Sequence, residues 1–142
     1  AIIGIHNTVL GPAIGGTRMW NYNSDAAALK DVINLSKAMS YKSSLAGLNA
    51  GGGKAVIIGE PNLKSEKFIK RFGEFINDLN GKYWTAQDVN MSTQDIIWIK
   101  DVEGKEWLDF TGDFQQLMTI RDDIKGDLET ILNNKEDDLK WQ

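Results

Sequence analysis

The feature that most constrains the fold is an apolar period that switches to helical spacing and back, twice over, between Ala1 and Asp88. Short, strand-sized apolar runs lie at residues 1–6, 55–58 and 83–86. Between them are two longer stretches in which apolar residues return every three or four positions. The first carries Ala28, Leu29, Val32, Ile33, Leu35 and Met39; the second carries Phe68, Ile69, Phe72, Phe75, Ile76 and Leu79. Ser24 and Ser65 stand where N-caps belong, and Asn80-Gly81 supplies a stop. The order strand, helix, strand, helix, strand predicts an α/β sandwich of two or three layers, with helices on a mixed sheet. Residues 7–18 and 47–53, rich in Gly and Pro, read as loops, and 19–22 as a short strand.

Past Asp95 the pattern changes. Residues 96–100 and 106–110 flank Asp101-Val102-Glu103-Gly104-Lys105, which predicts a hairpin with glycine in its turn. Asp113 then opens a predicted helix to about residue 132, with Phe114, Leu117, Ile120, Ile124, Leu128 and Ile131 along one side. Such a stripe must be buried, so this hairpin and long helix are expected to pack on the sheet and complete the domain. Charge shifts at the same place. Residues 1–94 carry ten Lys and Arg against seven Asp and Glu, whereas residues 95–142 carry six against thirteen. The expected division is therefore 1–95 and 96–142.

Composition narrows the function classes. With no cysteine, the chain has neither a disulfide framework nor a thiolate metal site, and His6, its single histidine, reads as structural. No basic stripe with interleaved aromatics suggests nucleic-acid binding, and no apolar run approaches the length of a membrane span. A cytoplasmic protein is the expectation.

Chemistry concentrates at Gly51-Gly52-Gly53-Lys54. Consecutive glycines let a backbone approach a ligand and adopt dihedrals that side chains forbid. The run is not a phosphate-binding loop: the spacing back to Gly47 is one residue too long, and Ala55 stands where Ser or Thr should hold magnesium. A dinucleotide fingerprint occurs nowhere in the chain. Lys42, twelve residues before Lys54, sits at the end of the first helix. Two lysines converging on a glycine-lined pocket would depress each other's proton affinity. One could then act as a general base while the other holds a carboxylate. Asp88, after the last strand, could supply the counter-charge and a second proton-transfer group. The alternative is a Lys42 favoured by the helix dipole and a solvated Lys54.

Several runs resemble the glutamate/leucine/phenylalanine/valine dehydrogenase family. They are Ile5-His6-Asn7, Leu10-Gly11-Pro12-Ala13, Gly15-Gly16-Thr17-Arg18-Met19, Met39-Ser40-Tyr41-Lys42, Gly47 through Lys54, and Thr85-Ala86-Gln87-Asp88-Val89. The resemblance covers residues 1–95 and is specific in its Gly-Gly-Gly-Lys and Thr-Ala-x-Asp runs. It implies the substrate-binding and oligomer-building region of a branched-chain, leucine-type member, whose reaction is NAD-dependent oxidative deamination of an L-amino acid. Lys54 would then be the catalytic base, Asp88 would assist proton transfer and Lys42 would hold the substrate carboxylate. Ile14, Gly15 and Met39 would line the side-chain pocket, with Gly15 letting the backbone reach the ligand. Thr17 and Arg18 are expected to fix the Gly-Gly loop.

The resemblance also sets limits. Residues 96–142 do not share it, and Asn90-Met91 replaces a small glycine-containing step. No NAD is expected to be bound by this chain alone, so whether it is an enzyme stays open. The rival expectation is an inactive truncated, chimaeric or designed domain with a structural role. L-amino acid binding is expected to be weak and self-association through an uncovered sheet edge is expected.

Overall fold

The computed structural model describes residues 1–103. Four strands form one open sheet in the order β1-β3-β2-β4: β1 (Ile2–Asn7), β2 (Ala13–Trp20), β3 (Gly51–Ile58) and β4 (Tyr83–Gln87). β1 runs antiparallel to β3, while β2 is parallel to both β3 and β4, so the sheet is mixed. The helices are α1 (Asp25–Leu45), α2 (Glu66–Asn77) and α3 (Thr93–Glu103). Ser24 and Ser65 cap α1 and α2, each accepting a backbone N–H three residues on. Asn80 and Gly81, both at positive φ, turn the chain into β4.

Strand alternation sorts the side chains into two layers of core. Ala13, Met19, Ala55 and Ile57 pack with Ile69, Phe72 and Ile76 of α2, Tyr83 of β4 and Ile99 of α3. On the other face Val56 packs with Ala28 and Val32 of α1. The sheet is therefore the middle of three layers. Lys54 and Arg18 have the parity of Val56 and Trp20 and point to the α1 side.

Glycines that looked like loop residues belong to strands. β2 begins at Ala13 rather than Met19, and β3 begins at Gly51. The reason is steric and non-local. A Cβ on Gly52 would lie 2.1 Å from the Ser40 backbone nitrogen of α1, and one on Gly15 would lie 1.7 Å from the Gly53 carbonyl oxygen. These strands and α1 pack closer than any side chain allows. The missing Cβ of Gly15 thus admits the neighbouring strand.

The predicted hairpin is also corrected. Residues 96–100 belong to helix α3, which starts ahead of the expected division and packs on α2. Ser92 and Asp95 form a reciprocal cap: the Ser92 N–H donates to Asp95 Oδ2 at 2.7 Å and the Asp95 N–H donates to Ser92 Oγ at 3.2 Å. Lys64 Nζ pairs with the same carboxylate at 2.6 Å. The predicted strand 106–110 and helix 113–132 lie outside the described residues. Among the described residues, no helix is long and apolar enough to cross a membrane.

Candidate proton-transfer site

Lys54 projects from β3 under α1 with only 7% of its side chain exposed. Asp88 follows the end of β4, and its Oδ2 lies 2.6 Å from Lys54 Nζ. The two strands are not neighbours; β2 lies between them. Gly16 of β2 makes the contact possible, because a Cβ there would stand 2.9 Å from Asp88 Cβ and 2.7 Å from the Gln87 carbonyl oxygen. The Gly-Gly pair of β2 therefore does two jobs by alternation: Gly15 admits β3, and Gly16 admits Asp88.

Burial, which disfavours an ammonium, pushes the Lys54 pKa down. The hydrogen bond and charge of Asp88 oppose this, and the nearby charges of Arg18 and Lys42 add to the lowering. For Asp88, burial raises the pKa, but the hydrogen bonds and charges of Lys54 and then Arg18 outweigh it and hold the carboxyl below the usual range. The solvated Lys54 of the alternative reading is ruled out by its burial. A buried lysine driven toward its neutral form beside a firmly ionised carboxylate is equipped to accept a proton.

The remaining sequence-derived positions lie on α1 and β2. Lys42 is exposed near the C-terminal end of α1, and its charge reaches Lys54. Met39 is half-buried on the same helix, and Ile14 is buried on β2, on the α1 side of the sheet. Gly15 is buried and accepts a hydrogen bond from the Tyr83 hydroxyl at 2.5 Å.

Sequence reasoning missed a second tier. Arg18, assigned only to fixing a loop, donates from Nε to Asp88 Oδ2 at 2.9 Å and from Nη1 to Asp31 Oδ2 at 3.1 Å. The Tyr22 hydroxyl donates to the same Asp31 oxygen, and burial followed by Asp31 pushes its pKa up to about 12. Asp31, Leu35, Met39 and Lys42 recur at helical spacing, so Asp31 was legible as part of the site-facing stripe. Among the described residues, no group of three or more His, Cys, Asp or Glu is placed to hold a metal ion.

The fold is thus an α/β sheet domain with a lysine–aspartate ion pair sunk under one helix. The chain belongs to the Glu/Leu/Phe/Val dehydrogenase family, matching the model of its dimerisation domain over residues 1–104. Leucine dehydrogenase of Bacillus subtilis is 52% identical over 102 residues, 71% of this chain and 28% of that protein. Valine dehydrogenase of Streptomyces virginiae is 53% identical over 97 residues, 68% of this chain and 27% of that protein. The chain thus spans about a quarter of the length of these relatives. Among solved structures, L-tryptophan dehydrogenase from Nostoc punctiforme superposes with a TM-score of 0.69 at 46% identity, over 70% of this chain and 30% of that one.

Proposed function

We propose that these residues form the amino-acid-binding and proton-transfer part of an NAD-dependent L-amino-acid dehydrogenase. The observation that carries the reading is the 2.6 Å contact between buried Lys54 and Asp88. Lys54 in its neutral form takes a proton from the attacking water or the amine, and ionised Asp88 passes protons at the same centre. Lys42, exposed and cationic, holds the substrate carboxylate. Ile14 and Met39 supply apolar surface for the substrate side chain. The relatives' names span leucine, valine and tryptophan, and an aliphatic substrate fits the two apolar residues named.

The described residues do not fit a dinucleotide. Of the three strand-to-helix turns, those after β2 and β4 have no glycine, and the one after β3 is Gly59-Glu60-Pro61, with an acidic residue where a pyrophosphate would sit. No step through nicotinamide is assigned to them. Pairing of two copies through this domain accords with its family description as a dimerisation domain.

The test is an NMR titration of the chain with L-leucine, L-valine and L-tryptophan, beside an NADH-linked absorbance assay. Shifts at Lys42, Lys54 and Asp88 that Lys54→Ala abolishes support the reading. No ligand-dependent shift at any of the three sinks it and leaves a domain with a structural role.

A further inference from the structure

Asp88 is held from two directions on one oxygen. Lys54 Nζ and Arg18 Nε both donate to Oδ2, at 2.6 Å and 2.9 Å. The guanidinium continues through Nη1 to Asp31 on α1, where Tyr22 also binds. Asp31 lies eleven residues, or about three helical turns, before Lys42 on the same helix face. One arginine therefore ties the proposed proton-transfer carboxylate to the helix that carries Lys42.

We propose that Arg18 is a positioning residue of this site: by sharing Oδ2 with Lys54 it aims Asp88 and frees Lys54 from a one-to-one ion pair. The proposal rests on the reading of Lys54 as the base. Its logic is charge balance. If Lys54 and Asp88 faced each other alone, deprotonating the lysine would strand a half-buried carboxylate, so the pair would keep its proton. With Arg18 present, the neutral lysine leaves a matched Arg18–Asp88 pair behind. Arginine suits the task because its charge survives at any working pH, and its planar fork reaches two carboxylates at once. The groups that face Lys54 are Asp88 from the end of β4, Arg18 from β2 and Lys42 from α1; Asp31 reaches it only through Arg18.

The proposal gives shifts of opposite sign at two sites, which a purely structural strut would not. In Arg18→Gln the Lys54 titration midpoint is expected to rise by about one pH unit or more, because a neighbouring cation is lost and Asp88 belongs to the lysine alone. In Asp31→Asn the arginine keeps its charge but loses its outer partner, so the Lys54 midpoint is expected to fall. Arg18→Lys should restore part of the lowering through its charge. The experiment is a site-resolved NMR pH titration of the Lys54 side-chain nitrogen in this chain, with circular dichroism to establish that each variant is folded. No rise in folded Arg18→Gln, or shifts of the same sign in both variants, overturns the proposal. If Arg18→Gln does not fold, Asp31→Asn decides: a fall supports the proposal, and no change or a rise overturns it. These midpoints need no turnover, so they stand apart from the Lys54→Ala test, whose failure would remove the base and not the charge coupling.

Discussion

A Cβ placed on Gly15 would stand 1.7 Å from the carbonyl oxygen of Gly53, a backbone atom of the adjacent strand that has no freedom to move aside. The spacing of β2 and β3 thus depends on a hydrogen atom at that position, and the buried Lys54 follows directly after it on β3. Gly15→Ala is expected to cost about 3 kcal/mol or more through forced strand separation. Gly47 is the control: it sits at a φ of +67°, with nothing within 4 Å of an added Cβ. Gly47→Ala should cost about 1 kcal/mol, the left-handed backbone penalty alone. Urea midpoints compare them, and equal losses would contradict the close-approach argument.

Lys54 is a residue that stability alone would not choose. A lysine whose folded pKa is depressed binds fewer protons than the unfolded chain between its folded and unfolded pKa values. Stability therefore rises with pH across that window, below 10.5, the ordinary lysine value. Lys54→Met should remove this rise. Near neutral pH it should leave stability unchanged or raise it, because Asp88 keeps Arg18 as a partner while a buried charge disappears. Thermal unfolding of both proteins from pH 6 to pH 10 checks this; a marked loss of stability in Lys54→Met at pH 7 would make the lysine structural.

How much of this was legible in the sequence depended on where each cause lies. The helices α1 and α2 were legible because their apolar period and their caps, Ser24 and Ser65, are local. Even there, Leu29 and Ile33, counted in the apolar pattern, are exposed, since periodicity gives a face but not its width. The starts of β2 and β3 were not legible. Glycine disfavours strands locally, and what makes it necessary at Gly15 and Gly52 is Gly53 on the next strand and Ser40 on α1. The hairpin expectation followed the alternation of Ile96 and Trp98 and the glycine at 104, and overlooked the Ser92-x-x-Asp95 cap in plain view. In the candidate site, Lys54, Asp88 and Lys42 came from the resemblance and from charge reasoning. Arg18 escaped because its partner Asp88 is seventy residues away, and no local pattern marks that pairing.

Tyr83 tests the buried polar accounting of the sheet. It is fully buried, fills the space over Gly53, and donates its hydroxyl to the Gly15 carbonyl. Burial, first among the causes, drives its phenol pKa well up, so it stays a neutral donor throughout the working range. Tyr83→Phe keeps the ring and orphans one carbonyl, and should cost about 1–2 kcal/mol. A denaturant midpoint equal to the parent's would mean that the Gly15 carbonyl is satisfied elsewhere.

The reciprocal cap of α3 gives a prediction with a definite pH sign. The Asp95 side chain is 3% exposed and collects Lys64 Nζ, the Ser92 N–H and the Ser92 hydroxyl. Burial alone would raise its pKa, but the hydrogen bond from Lys64 and then those from Ser92 prevail and lower it. A carboxyl with a depressed folded pKa contributes stability that is fully present above its unfolded value, near 3.8, and is lost as pH falls through the folded value. Asp95→Asn keeps the shape and removes the charge that Lys64 needs. It should therefore cost about 2–4 kcal/mol at pH 7, combining a lost cap with a stranded cation. The difference between parent and variant should shrink below pH 4. Because α3 packs on α2 through Gly73, where a Cβ would meet the Ile99 carbonyl oxygen at 3.1 Å, the loss should register in hydrogen exchange of both helices. Exchange that quickens in α3 alone would show that the two helices open independently.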